Sequence, residues 1–201
     1  MRGRDITRYG YEFNDLWLIN THNGIKEKNI APIDINNYPA IKAHLDKFWE
    51  KLSTRADKGD TPYNLRNCVY TDDFSKQKIV WGEISDKPKF ALDFYGKFFA
   101  EATTFIMTGE NLPYLLPFLN SHISEYYFST LGTTTGVGTI RWKKYKLEQL
   151  PIPRPERLHS DLLQILVSSS QQSEDAIDSI IYKIYSLSEE EIQFVEEFVN
   201  R

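Results

Sequence analysis

Apolar residues run in short strand-like bursts through the middle of the chain and recur at helical spacing on either side. KIVWGEIS, residues 78–85, is an apolar run ending in polar residues, and KFALDF, KFFAEA and TTFIM follow at short intervals with turn signals between them. Such runs predict strands, and together a small sheet, antiparallel or mixed. DLWLIN, residues 15–20, predicts one strand more. Ile41, Leu45, Phe48, Trp49 and Leu52 repeat at helical spacing behind a cap at Asn37 and a first-turn Pro39, which predicts one helix with its stripe in the core. From Leu112 a second helical stripe runs through Leu115, Leu116, Leu119, Ile123, Tyr126 and Tyr127, with Asn111 as cap, and is expected to cover the sheet.

After Pro155 the pattern is helical again. Leu158, Leu162, Leu163, Ile165 and Leu166 form one apolar segment, Ile177, Ile180, Ile181, Ile184 and Tyr185 the next, and Ser188 with Glu191 makes a capping box for a last short helix. The expected fold class is α+β: a small mixed or antiparallel sheet flanked by helices, followed by a C-terminal helical hairpin. The expected division is residues 1–155 and an acidic extension, residues 156–201.

Charge sharpens that division. The net charge is −4, but residues 156–201 hold 3 basic and 10 acidic side chains, which leaves residues 1–155 mildly basic. Gly138 to Pro155, GTIRWKKYKLEQLPIPRP, concentrates the cations: Arg141, Lys143, Lys144 and Lys146 interleave with Trp142 and Tyr145. That mixture suits a surface that grips phosphates while Trp142 and Tyr145 stack on flat groups. Leu147 and Leu150 fit a short helical turn, and Pro151 and Pro153 force an extended strap. Arg2, Arg4 and Arg8 in RGRDITRYG suit phosphate contact or, equally, a solvated terminus. In residues 53–67 Gly59, Asp60 and Pro62 break the helix and leave Arg55, Lys58 and Arg66 on a loop, suited to entering a groove or simply solvated. The glycines of TLGTTTGVGT make no dinucleotide fingerprint, because the third glycine is missing.

Candidate chemistry is sparse. Cys68 is the single cysteine, and neither a membrane-length apolar run nor a secretory leader occurs, so a reduced, cytoplasmic setting is expected. His22, His44, His122 and His159 are scattered without zinc-like spacing. No Asp or Glu has Lys two residues after it, as a common metal-dependent nuclease would need, and no Pro-Pro occurs to build an amino-methyltransferase loop.

Five motifs in order then point to a family: GRDITRY, NNYPAIKAHLDKF, KIVWGEIS, YLLPFLNSHISEYYF and IRWKKYKLEQLPIP. They resemble the carboxyl-terminal target-recognition domain of TaqI-like adenine-specific DNA methyltransferases and type IIG restriction-modification enzymes, over residues 3 to about 155. The tail IDSIIYKIYSLSEEEIQFVEEF resembles the helical ending of the type IIG group. The resemblance implies a non-catalytic DNA-recognition module of a restriction-modification system. Its partners would be double-stranded DNA and an upstream methyltransferase domain or subunit, with no membrane. No cofactor is expected in this chain, since S-adenosylmethionine and Mg would belong to the other domains. Arg2, Arg4, Arg8, Arg141, Lys143 and Lys144 would contact phosphates, and Arg55, Lys58, Arg66, Lys87 and Lys89 would read base edges. LEQLPIPRP also resembles type I specificity subunits, so a fragment of one is an alternative. A protein–protein interaction domain is another.

Overall fold

The chain opens in a hairpin, β1 (Ile6–Thr7) antiparallel to β2 (Gly10–Tyr11). Residues Trp17–Thr71 then form a unit of their own, and Met1–Leu16 with Asp72–Arg201 form the other. The structure is a computed structural model and describes residues 1–131, 138–157, 164 and 173–200.

The inserted unit carries α1 (Pro39–Asp46) and α2 (Trp49–Thr54). The single helix expected across both is interrupted because Phe48 leaves helical geometry at φ −113° and ψ 17°. Tyr38, rather than Asn37, precedes α1; Asn37 ends a 3-10 turn that Asp34 caps. The expected core stripe is only half a core: Ile41, Leu45 and Leu52 are half-buried, and Phe48 and Trp49 are exposed. Polar loop bonds hold the unit as well. Buried Asn64 donates to the Ile33 carbonyl at 2.9 Å and accepts from Thr61 Oγ1 at 2.5 Å. Residues 15–20 form no strand, since no neighbouring segment supplies them with a ladder.

In the other unit β3 (Lys78–Gly82) lies between two antiparallel neighbours, β5 (Phe90–Asp93) and β6 (Thr104–Met107), while β4 (Ile84–Ser85) pairs with β7 (Ile140–Arg141). Side chains alternate across a strand, and here both faces are covered. Ile79, Trp81 and Phe90 join one core with Leu112, Leu116, Phe128 and Trp142; Val80 and Ala91 face the other way against Ile6. That two-sided burial explains the unbroken apolar run of KIVW. On the Val80 face the sheet also encloses an ion pair, Lys78 Nζ to Asp93 Oδ2 at 2.5 Å, with the two side chains 0% and 1% exposed. Asp93 further accepts from the backbone N–H groups of Lys97 and Phe98. It thereby clamps a turn in which Gly96 adopts φ +62° and a Cβ would lie 2.3 Å from the Ser75 carbonyl oxygen. This turn, followed by the bond of Glu101 N–H to Met1 O, is why KFFAEA does not continue as a strand.

The second expected helix is likewise two: α3 (Leu112–Asn120) and α4 (His122–Thr130), separated at Ser121, which caps α4 by accepting from the Ser124 N–H. Asn111 sits at the start of α3 in left-handed geometry without a side-chain cap bond. The helix α3 is apolar all round because it has two partners. Leu112, Leu116 and Leu119 face the sheet, while Tyr114 and Phe118 pack on Ile177 and Ile181. Asn120 extends the strand ladder with its side chain, accepting from Phe90 N–H at 3.0 Å and donating to Phe90 O at 2.9 Å.

After β7 comes α5 (Lys144–Leu147), then the Pro151–Arg154 strap, which receives the Tyr185 hydroxyl on the Pro151 carbonyl and the Tyr114 hydroxyl on the Pro153 carbonyl. Two C-terminal helices follow, α6 (Glu174–Ile184) and α7 (Glu189–Val199), the latter opened by the Ser188/Glu191 capping box. They pack on α4 through Tyr126 against Phe194 and Phe198, and through His122, which bonds Glu196 at 3.0 Å. The acidic helices thus belong to the same unit as the sheet. The architecture is α+β. The apolar segment Leu158 to Leu166 and most of the TLGTTTGVGT loop lie outside the described residues.

Candidate nucleic-acid interface

Strand periodicity decides which residues of the basic segment reach solvent. Along Arg141, Trp142 and Lys143 the outer two point outward and the middle one inward. Arg141 keeps 49% of its side chain exposed and Lys143 33%, whereas Trp142 is 1% exposed, edge-on to Phe90 and 4.4 Å from Phe128. The expectation that Trp142 stacks on a ligand is therefore corrected: its ring is part of the core. Tyr145 is 58% exposed, with Lys146 Nζ over its ring, 5.7 Å from the centroid.

The pairing of β4 with β7 brings Arg141 beside the end of β3, and the backbones of Gly3 and Gly82 pass so closely that a Cβ on Gly82 would sit 3.2 Å from the Gly3 Cα. That contact places exposed Arg4 on the rim of a groove of about 440 Å³ whose lining also includes Glu83, Ser85, Lys89 and Arg141. Cations from three distant points of the chain thus converge. Glu83 lies in their midst: its Oε1 accepts from Arg141 Nη1 at 3.0 Å and lies 2.5 Å from Lys143 Nζ. The hydrogen bond from Lys143 holds the Glu83 carboxyl below its ordinary range. Likewise Lys89, 2.7 Å from Asp86, lowers that carboxyl. In the sequence Glu83 carries one signal, an acid standing between Gly82 and Ile84 in an otherwise apolar run.

The remaining expected contacts are spread differently. Lys144 on α5, 76% exposed, lies 3.7 Å from Glu148, the residue that caps that helix. Lys87 donates to the Val199 carbonyl at 3.4 Å. Arg8 faces the acidic helices, 2.7 Å from Glu174 and 3.8 Å from buried Glu125, whose carboxyl burial pushes up. Arg55, Lys58 and Arg66 belong to the inserted unit. Arg55 donates to the Pro62 and Asn64 carbonyls and Lys58 to that of Ser53, so both brace their own loop, while Arg66, 67% exposed, lies 3.4 Å from Asp57.

Arg2 grips Asp5, donating from Nε and Nη2 and from its backbone N–H. These bonds hold the Asp5 carboxyl down to about 2. Because its folded value lies below the unfolded one of about 3.9, the stabilisation is fully present above pH 4 and is lost as pH falls toward 2. Asp5→Asn should therefore flatten the fall in melting temperature between pH 4 and pH 2. A variant that keeps the parent's slope there would show that Asp5 contributes nothing to acid stability.

Among the described residues no group of three or more His, Cys, Asp or Glu side chains could hold a metal ion, and no helix is long and apolar enough to cross a membrane. What the site offers is three basic side chains, Arg4, Lys89 and Arg141, around one groove, chemistry for anion binding. The Type II methyltransferase M.BstVI of Geobacillus stearothermophilus is 22% identical over 171 residues, which cover 82% of this chain and 30% of that protein. The chain thus spans under a third of that relative's length. Residues 1–152, from the arginine-bearing start through the basic segment and into the strap, match the TaqI-like C-terminal specificity domain, and the chain belongs to that family.

Proposed function

We propose that this chain is the non-catalytic DNA target-recognition module of a restriction-modification enzyme. It positions duplex DNA for adenine methylation, and in some systems cleavage, by domains outside this chain. S-adenosylmethionine, and Mg where cleavage occurs, would be bound by those domains. The observation that carries the reading is the convergence of Arg4, Lys89 and Arg141 on one groove, with Lys143 joined to it through Glu83. Phosphates placed there gain several charge-assisted contacts at once. Lys144 and Tyr145, both exposed on α5, are further candidate contacts, while Arg66 and Lys58 on the inserted unit remain candidates for base reading. Helices α6 and α7 of the acidic extension would act as an appended brace for the helices behind the sheet.

The test is fluorescence anisotropy on mixed-sequence duplexes at about 50 and 200 mM salt. Micromolar-range affinity that falls steeply with salt is expected, and the double variant Arg4→Ala/Lys89→Ala should weaken binding to all sequences alike, by about tenfold, with a salt slope shallower by one to two. Binding that ignores salt would count against the reading. So would a double variant whose loss is confined to a single target sequence, because the groove would then not be holding phosphates.

A further inference from the structure

We infer that Glu83 is a positioning residue for DNA binding: its carboxylate holds Arg141 and Lys143 side by side so that both face the same stretch of phosphate backbone. The inference rests on the DNA-recognition reading above and deepens it.

The backbone around Glu83 is pinned from both sides. Its N–H donates to the Thr103 carbonyl at 3.0 Å, and its carbonyl accepts from the Trp142 N–H at 2.8 Å. The Trp142 carbonyl in turn receives the Trp81 indole N–H at 2.8 Å, deep in the core. The carboxylate therefore stands on a rigid base. Both cations meet its single oxygen Oε1, Arg141 at 3.0 Å and Lys143 at 2.5 Å. Arg141 uses one of its five donors in that contact and is half exposed, so the rest of its fork remains open to the groove. Lys143 Nζ is steadied further by the Phe105 ring, 5.9 Å away.

An acid in a groove that binds phosphates is costly by charge alone, because it repels the ligand and neutralises the cations beside it. Its value lies in geometry. Free Lys and Arg side chains lose rotamer entropy when fixed, and a pair already fixed before the ligand arrives has less to lose on binding.

The two effects have opposite signs, which makes the test decisive. Glu83→Gln removes one negative charge from the groove at nearly constant shape. If charge alone mattered, duplex affinity would rise and its salt dependence would steepen. Positioning predicts about a tenfold loss for every duplex, a salt slope shallower by about one, and an unchanged urea midpoint. Glu83→Asp, which keeps the charge on a shorter arm, should recover part of the loss. Affinity equal to or above that of the parent chain in Glu83→Gln overturns the inference and leaves the DNA reading intact. A loss restricted to duplexes carrying one particular base pair also overturns it, by making Glu83 a reader of bases. Absence of salt-dependent binding by the parent chain removes the DNA reading and the inference together.

Discussion

Trp142→Ala is expected to destabilise the sheet-bearing unit by about 3–5 kcal/mol, the cost of deleting a large aromatic from a closed core. Trp142 touches Phe90 and Phe128 within ring-contact distance and is 1% exposed, so the surrounding side chains cannot move in to fill the space without shifting β5 and α4. Urea unfolding read by circular dichroism measures the loss directly. Against a total stability of about 5–15 kcal/mol for a typical domain, that loss removes a large share of the margin and shifts the urea midpoint well below the parent's. Trp142→Phe keeps most of the apolar volume and removes an indole N–H that has no protein partner among the described residues, so its cost should stay near 1 kcal/mol. A Trp142→Ala protein as stable as its parent would mean that the ring does not hold the core together.

The second large effect belongs to Asp93. Asp93→Ala strands the Lys78 ammonium, 0% exposed, with the Phe74 carbonyl as its remaining contact at 2.6 Å, and removes the acceptor for the Lys97 and Phe98 N–H groups. Breaking a buried pair from one side costs about 3–5 kcal/mol, because an uncompensated charge stays behind. Lys78→Met leaves Asp93 with two backbone donors, so it should cost clearly less. Equal losses in the two variants would show that the anchoring of Lys97 and Phe98 adds nothing, since Lys78→Met leaves both of those bonds in place.

Both residues mark where the sequence was readable and where it was not. Local signals carried far: the KIVW strand, the capping box at Ser188, the extended strap after Leu150 and the α+β class all follow from spacing and turn chemistry. Trp142 is placed among ligand contacts by composition, because cations and aromatics interleave around it. In the structure the alternation of β7, Ile140 in and Arg141 out, carries on to turn Trp142 inside. Long-range partners were beyond reach. Nothing near Asp93 in the chain announces Lys78 on the neighbouring strand, and nothing in WGEIS announces that Glu83 meets Arg141 and Lys143 from residues far downstream. Arg8 shows the same limit. Its place in an arginine-rich opening suggested phosphate, while the fold directs it to Glu174 and Glu125.

That placement of Arg8 gives ionic strength two jobs in one molecule. Added salt screens the contact with Glu174, an acid that is 49% exposed, while the apolar seam of Ile177 and Ile181 against Tyr114 and Phe118 is indifferent to screening. The C-terminal helices therefore stay seated as salt rises, yet their hold on this arginine slackens. Along the same titration the groove cations Arg4, Lys89 and Arg141 also weaken toward any anionic partner, so one variable loosens an outer contact and an internal one together.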